Sequence, residues 1–254
     1  MKPLLFLMMI IGLIPYQANS QTSSCLSPHL SKGDTLANIY SRTIAMTGEG
    51  FAPLVFRISG SSAYKVTDGH PARPAFMETD LYDGRPENRS ATVIGLDGNN
   101  IWQDKPYANT SASGLMYNSL IWGQAPAQLH EGDTWKHTIS VPWELGGPGT
   151  QTITVMALDN EHQTVTLKRE GYSEGFYDND AKQMDIATND GKKLRVTVKP
   201  GTSHWTGYTT FRQGIVISDA LLVTRPVLLT SDEQHFSGQQ RQYILLNAMP
   251  YLPL

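Results

Sequence analysis

The segment from Asp68 to Ser90 concentrates side chains that could bind an anion or a polar substrate. It places His70, Arg73 and Arg85 among several carboxylates, with Pro and Gly near both of its ends. Binding residues are found disproportionately on loops that a rigid scaffold holds in place. We therefore expect His70, Arg73 and Arg85 to be polar contacts to a ligand. The alternative is a solvated surface loop around one strand, Phe76 to Tyr82.

Tryptophans form the second group of candidate ligand contacts. The chain has five of them: Trp102, Trp122, Trp135, Trp143 and Trp205. Inward tryptophans can line the cavity of a β-barrel, and exposed ones can stack on sugar rings. We expect Trp102 and Trp135 to line a cavity. The alternative is that the tryptophans fill the core, each with its N–H hydrogen-bonded.

The run Gly171-Tyr172-Ser173-Glu174-Gly175 has the spacing of the G-x-S-x-G pattern of α/β-hydrolases, but we expect a bulged turn there and no strand-to-helix nucleophile elbow. His130 and His137, with two carboxylates between them, form the densest group of potential metal ligands. Their spacing matches no standard zinc motif, and an odd separation would put them on opposite faces of a continuous strand. We expect no metal and no cofactor. The residues leave open whether the protein is an enzyme.

The elements that would position these side chains are strands. Residues 53–59 and 135–141 alternate between apolar and polar side chains, which indicates half-buried strands. Asp97-Gly98 lies between two apolar runs and predicts a hairpin, because both central residues of the favoured turn need positive φ. Polar turns at Asp159-Asn160 and Asn189-Asp190-Gly191 predict two more strand-to-strand connections.

This pattern predicts an all-β protein. About a dozen possible strands are separated by turns roughly every 8–12 residues, which is typical of an antiparallel sandwich or open barrel. Little helix is expected. The stretch from Ser113 to Trp122 fits either a short helix or another strand.

The first twenty residues resemble a secretory signal peptide, with Lys2, an apolar run from Leu4 to Ile14, and Ala18 and Ser20 before a cleavage site. We expect residues 1–20 to be removed, residues 21–34 to be a flexible lead-in, and residues 35–254 to form one β domain. Lipidation at Cys25 is the less favoured alternative, because the apolar residue usual at the third position before such a cysteine is missing. The expected location is the periplasm or the medium.

The net charge of −3 is small and spread along the chain, so nothing favours nucleic acid as a partner. No later apolar run is long enough for a membrane-spanning helix. These features together predict an exported protein that binds an apolar or amphiphilic small ligand in a barrel or sandwich cavity. The alternative is a secreted carbohydrate-active enzyme or sugar-binding module. The sequence does not indicate the oligomeric state.

Overall fold

The computed structural model describes residues 20–69, 74–82, 85–94, 99–102, 105–108, 115–140, 148–174 and 182–249. The strands in chain order are β1 (Ser20–Thr22), β2 (Thr35–Gly48), β3 (Leu54–Asp68), β4 (Ala75–Tyr82), β5 (Arg85–Ile94), β6 (Asn99–Trp102), β7 (Lys105–Ala108), β8 (Gln128–His130), β9 (Thr134–Ile139), β10 (Gly149–Asp159), β11 (Thr164–Ser173), β12 (Lys182–Ala187), β13 (Lys193–Pro200), β14 (Ser203–Arg212), β15 (Ile215–Thr230) and β16 (His235–Met249). Helical structure in the described part of the chain consists of a 3-10 turn, Ser23–Leu26, one α-helical turn, α1 (Ser119–Trp122), and the single helical residue Leu115.

Fourteen of these strands form one antiparallel sheet, which confirms the predicted all-β class. Its main order is β7-β6-β5-β4-β3-β2-β16-β15-β14-β11-β10-β9, so the last long strand pairs with the first. The second half of β15 pairs instead with β13, which in turn pairs with β12. Within the described residues the two ends of the main order, β7 and β9, do not pair with each other, so the sheet is open.

The sheet has one buried face and one solvated face, as the period-two pattern predicts. On β15 the residues Leu221, Val223 and Leu229 are buried, and we call the face that carries them the inner face. The residues between them point the other way, and Leu222 and Leu228 are exposed on this outer face. Because directly paired residues share a face, the strand register extends the assignment across the whole sheet.

The first of three core clusters covers the inner face of β9, β10, β11, β14 and β15. The segment around α1 lies across these strands and supplies Ile121 and Trp122, with the Trp122 ring edge-on to Phe211 at 5.1 Å between centroids. Trp205 packs beside them over Gly171, where a Cβ atom would come within 2.6 Å of the indole ring. Glycine is therefore required at position 171 for this close approach of ring and strand.

The second and third clusters cover the two ends of β2 and β3. The second joins Met46 and the β12–β13 hairpin to Phe51, which packs edge-on against Phe236 at 6.0 Å. The third joins Tyr64 and Phe76 to residues just before α1. Between these two clusters the middle of β2 and β3 carries inner-face side chains that belong to none of the three clusters.

Two segments, one expected to be a flexible lead-in and one that fitted either helix or strand, have defined positions. In the stretch expected to be a flexible lead-in, β1 pairs with β8, and Cys25 and Leu26 are buried in the first core cluster. In the stretch that fitted helix or strand, Leu115 is helical, Met116 forms an isolated bridge with Ile215, and the helical turn α1 begins at Ser119. None of the helices among the described residues has the length and apolarity needed to cross a membrane.

Candidate functional site

The middle of β2 and β3 leaves apolar inner-face side chains uncovered. Ile44 lies directly opposite Phe56, and Arg42 lies directly opposite Ile58, in a register that runs without a bulge along both strands. Phe56 is 42% exposed and Ile58 is 46% exposed, whereas Ile44 and Arg42 are half-buried. We call Arg42, Ile44, Phe56 and Ile58 the open stretch.

The open stretch is exposed because each of the three core clusters ends before it reaches these residues. Met46, two residues after Ile44, is buried in the second core cluster. Tyr64, six residues after Ile58, is buried in the third. On the third side the first cluster reaches only as far as β16, where Ile244 is partly buried against it. The result is an apolar surface bordered by the second and third core clusters along β2 and β3 and by the first core cluster on the β16 side.

An edge of the sheet borders the same surface. The pairing of β3 with β4 begins at Gly60, so among the described residues the part of β3 from 54 to 59 pairs with β2 alone. Phe56 and Ile58 therefore lie on a strand segment whose other side meets no described strand. A ligand could enter over this edge without unpairing the sheet.

A buried polar group continues the open stretch toward β15. Gln242, which is paired with Ile44, donates from Nε2 to Oε1 of Gln240 at 2.9 Å. The same oxygen accepts a second hydrogen bond, of 2.6 Å, from Nε of Arg225. All three of these side chains are buried on the inner face. Hydrogen bonding among them satisfies part of the polarity that an apolar core could not accommodate.

The electrostatics of this region are determined by two neighbouring arginines, Arg225 and Arg42. Burial of the Arg225 guanidinium and, to a smaller extent, repulsion from Arg42 together lower its pKa to about 10. Arg225 remains protonated at neutral pH, because its pKa is still well above 7. The inner face therefore places two arginine side chains beside the apolar side chains of the open stretch.

A separate ion pair is fully enclosed in the sheet. Arg169 donates from Nη2 to both carboxylate oxygens of Asp219, at 3.2 and 3.0 Å, and Thr209 donates to the same carboxylate at 2.5 Å. The Arg169 guanidinium also lies over the Trp122 ring, 4.8 Å from its centroid. This group has no exposed surface to offer a ligand, and we assign it a structural role.

The residues proposed from sequence as ligand contacts are placed unequally. His70 and Arg73 lie outside the described residues. Arg85 begins β5 and pairs with Tyr82, and Tyr82 pairs in turn with Gly60. Arg85 therefore lies in the same cross-strand row as Gly60, which is two residues from Ile58. The register therefore places its backbone at the border of the open stretch.

The two proposed tryptophans are far apart in the sheet. Trp102 ends β6 opposite Thr92, seven residues along β5 from Arg85. Trp135 lies on the edge strand β9, at the other end of the main strand order. It packs against the first core cluster, and its indole N–H donates to the carbonyl of Trp122 at 2.7 Å. The structure thus brings neither tryptophan to the open stretch.

The two histidines considered as metal ligands, His130 and His137, lie on strands β8 and β9. Nδ1 of His130 lies 3.4 Å from the carboxylate of Asp133 in the turn before β9, and both side chains are partly exposed. Within the part of the chain that the structure describes, no three His, Cys, Asp or Glu residues come together as a metal site.

Sequence reasoning did not select the residues that form the site. One signal was present in β15, where Asp219 and Arg225 occupy the same alternate positions as the buried Leu221, Val223 and Val227. A charged residue in the apolar register of a strand marks a buried polar site. Arg42 has the same relation to Ile44 on β2.

Comparisons with known proteins add no family. The chain matches no protein-family model and no curated protein. Among solved structures it is similar to the chain of the Salmonella typhi OmpF complex with Daunomycin, at 7% sequence identity and a TM-score of 0.22, over 85% of this chain and 97% of that chain. A TM-score this low supports no inference about the present protein.

Proposed function

We propose that the protein is an exported binding protein that holds an apolar or amphiphilic small ligand against the open stretch. The observation that supports this function is the exposure of Phe56 and Ile58 on the inner face. Elsewhere on that face large apolar side chains of the described strands β10, β11 and β14 are buried. Large apolar side chains left exposed on an otherwise covered face indicate that a ligand covers them.

The gain available to a ligand can be worked out from these two side chains. Full burial of an Ile or Phe side chain stabilises by about 1.5–3 kcal/mol. Since nearly half of Ile58 and of Phe56 is still exposed, covering each would contribute about 1 kcal/mol. Removing one such contact should therefore weaken binding about fivefold.

The test compares two isoleucines on opposite faces of the sheet. The neutral fluorescent probe N-phenyl-1-naphthylamine is titrated into the wild type, Ile58→Asn and Ile39→Asn. Ile39 is a matched control, because it is 44% exposed against 46% for Ile58 but lies on the outer face. We expect Ile58→Asn to weaken probe binding about fivefold, as worked out above, and Ile39→Asn to leave it unchanged. Equal weakening by both variants, or no probe binding by the wild type, would contradict the proposal.

Export is part of the same proposal. It rests on the signal-like residues at the start of the chain, with cleavage expected after Ser20. Expression of the full chain in a bacterium, followed by cell fractionation and intact-mass measurement, tests it. A product in the cytoplasmic fraction that retains residues 1–20 would contradict export and leave the ligand site unaffected.

Sugar binding is the second candidate, and the outer face gives it one observation. Tyr172, Tyr208 and Tyr243 are exposed there, on β11, β14 and β16. Exposed aromatic rings on a sheet can stack on sugar rings. Retention on a panel of insoluble polysaccharides, lost on Tyr208→Ala, would support this function. The tryptophans support sugar binding less than the tyrosines do, because Trp122 and Trp205 are buried.

A further inference from the structure

We propose that the outer face of the sheet carries a docking surface for an anionic lipid bilayer. Its residues are Val55, Arg57, Leu222, Arg241 and Tyr243, and we call them the docking surface. They lie on the opposite side of the sheet from the open stretch, so the inference goes beyond the proposed ligand site and does not depend on it. The bilayer would cover the apolar side chains, and its phosphates would meet the two arginines.

The first row of the docking surface crosses four neighbouring strands. Leu222 on β15 pairs with Tyr243 on β16. Tyr243 in turn pairs with Thr43 on β2, which pairs with Arg57 on β3. Leu222, Tyr243 and Arg57 are exposed, and because neighbouring strands lie about 4.8 Å apart the row spans roughly 14 Å. This row therefore offers a bilayer an aliphatic side chain, an aromatic ring and a cation.

The second row lies two residues away along the same strands. Arg241 on β16 pairs with Ala45 on β2, and Ala45 pairs with Val55 on β3. Arg241 is exposed, and Val55 is 66% exposed. Each row thus combines one arginine with an exposed apolar side chain. Tyrosine and arginine beside aliphatic side chains are typical of protein surfaces that lie in the headgroup region of a bilayer.

The charge of the surrounding outer face favours an anionic partner. The outer-face positions of β2, β15 and β16, and of β3 from residue 54 to 65, hold no acidic residue. The first row meets a carboxylate only at Glu170, two strands beyond Leu222, where Lys168 forms an ion pair with it at 2.9 Å. This region is therefore positive although the whole chain has a net charge of −3. Such local charge attracts a surface of opposite sign.

The apolar side chains favour a lipid surface over other anionic partners. An acidic polysaccharide could pair with both arginines and stack on Tyr243, but its hydroxyl groups would not match Val55 and Leu222. Two arginines are few for nucleic acid, whose affinity depends on the number of phosphates that are neutralised. A bilayer, by contrast, covers aliphatic side chains and pairs with cations in one contact.

The docking surface also borders the edge over which a ligand could enter the open stretch. Val55 and Arg57 alternate along β3 with Phe56 and Ile58, and no described strand pairs with this segment on the side away from β2. A bilayer at the docking surface would therefore contact the same edge. Docking would bring a source of amphiphilic molecules to the border of the site proposed to hold one.

The experiment measures co-sedimentation with vesicles. The full chain is titrated with vesicles of phosphatidylcholine alone and with vesicles of equal parts phosphatidylcholine and phosphatidylglycerol. We expect about 25-fold tighter binding to the mixed vesicles, since each of two arginines near an anionic surface contributes about fivefold. Rising salt should reduce this preference, because salt screens exposed charges.

Four variants locate the contact. Arg57→Gln and Arg241→Gln should each weaken binding to the mixed vesicles about fivefold. Val55→Asn should weaken it by a similar factor through the lost apolar contact. Arg212→Gln is the matched control, because Arg212 is exposed on the same face but lies eight residues along β14 from His204, which is in the row of Arg241. That separation is roughly 26 Å, well beyond the Debye length, so this variant should bind as the wild type does.

All variants begin with the same residues, so any contact between the apolar start of the chain and the vesicles cancels in the comparison. Circular dichroism checks that each variant is folded. If a variant proves unfolded, the wild type decides the matter, and equal binding to the two kinds of vesicle at low salt overturns the inference.

The remaining outcomes are equally decisive. Unchanged binding by Arg57→Gln and Arg241→Gln, or equal weakening by Arg212→Gln, overturns the docking surface. Unchanged binding by Val55→Asn overturns the lipid partner, since it indicates a purely ionic contact, and polygalacturonate then tests an acidic polysaccharide. Binding of N-phenyl-1-naphthylamine, measured on the same variants, tests the proposed function separately. Loss of vesicle binding with probe binding intact overturns this inference alone, and the reverse result overturns the ligand site alone.

Discussion

Replacing Asp219 by Asn should destabilise the protein strongly, although the two side chains have nearly the same shape. Arg169 is 1% exposed and Asp219 is 6% exposed, so their ion pair is closed off from water. The substitution removes the negative charge and leaves the guanidinium buried and uncompensated. Among the described residues, Nε and Nη1 of Arg169 have no hydrogen-bond acceptor.

The magnitude follows from the burial of the pair. Removing one partner of a buried ion pair costs about 3–5 kcal/mol. For a chain of this size 1 kcal/mol lowers Tm by about 2–4 °C, so Tm should fall by about 6–20 °C. Urea unfolding followed by circular dichroism measures the free energy, and a thermal melt measures Tm.

The control is a second Asp–Arg pair of nearly the same length. Asp185 and Arg195 lie 3.1 Å apart, against 3.0 Å for the buried pair, but their side chains are 68% and 63% exposed. Asp185→Asn should cost between about 0 and 1 kcal/mol, because exposed pairs are screened by water. Equal costs for Asp219→Asn and Asp185→Asn would refute the reasoning, since they would show that burial of the inner pair does not determine its contribution.

Two further predictions concern the edges of the first core cluster. Burial raises the pKa of the Cys25 thiol to about 11, so Ellman's reagent should react slowly in the native state and rapidly in guanidinium. Because the unfolded thiol ionises near 9, stability should fall as pH rises between 9 and about 11, and Cys25→Ala should reduce that fall. Trp135→Phe should cost about 1 kcal/mol through the lost hydrogen bond to Trp122, and Trp135→Ala up to about 3–5 kcal/mol, both measured by urea unfolding.

Strand pattern and turn chemistry predicted much of the fold. The alternation of residues 53–59 assigned Leu54, Phe56 and Ile58 to one face, and the register confirms it. The polar turn after Asp159 does connect two paired strands, β10 and β11. These features are local, since a strand's faces and a hairpin's turn depend on residues within a few positions of one another.

The candidate site could not be predicted in the same way, because its exposure depends on distant segments. Alternation places Met46 and Phe56 on the same face, yet Met46 is buried by the β12–β13 hairpin and Phe56 is not. Likewise, Arg169 and Asp219 are fifty residues apart and meet only through the pairing of β11, β14 and β15. The alternation of side chains along a strand determines which of them share a face, but it does not determine which segments cover that face.

The polar residues of the inner face help to explain why the open stretch stays open. An inner face of only apolar side chains would favour closing the sheet onto itself, since each covered side chain adds stability. Beside Ile44 that face is interrupted by three hydrogen-bonded polar side chains, Arg225, Gln240 and Gln242. Covering them with apolar side chains would be unfavourable, because any polar group left without a hydrogen bond would be buried. Phe56 and Ile58 thus remain exposed, although their burial would add stability to the fold. An exposed apolar surface of this kind is expected where a site must remain available to a ligand.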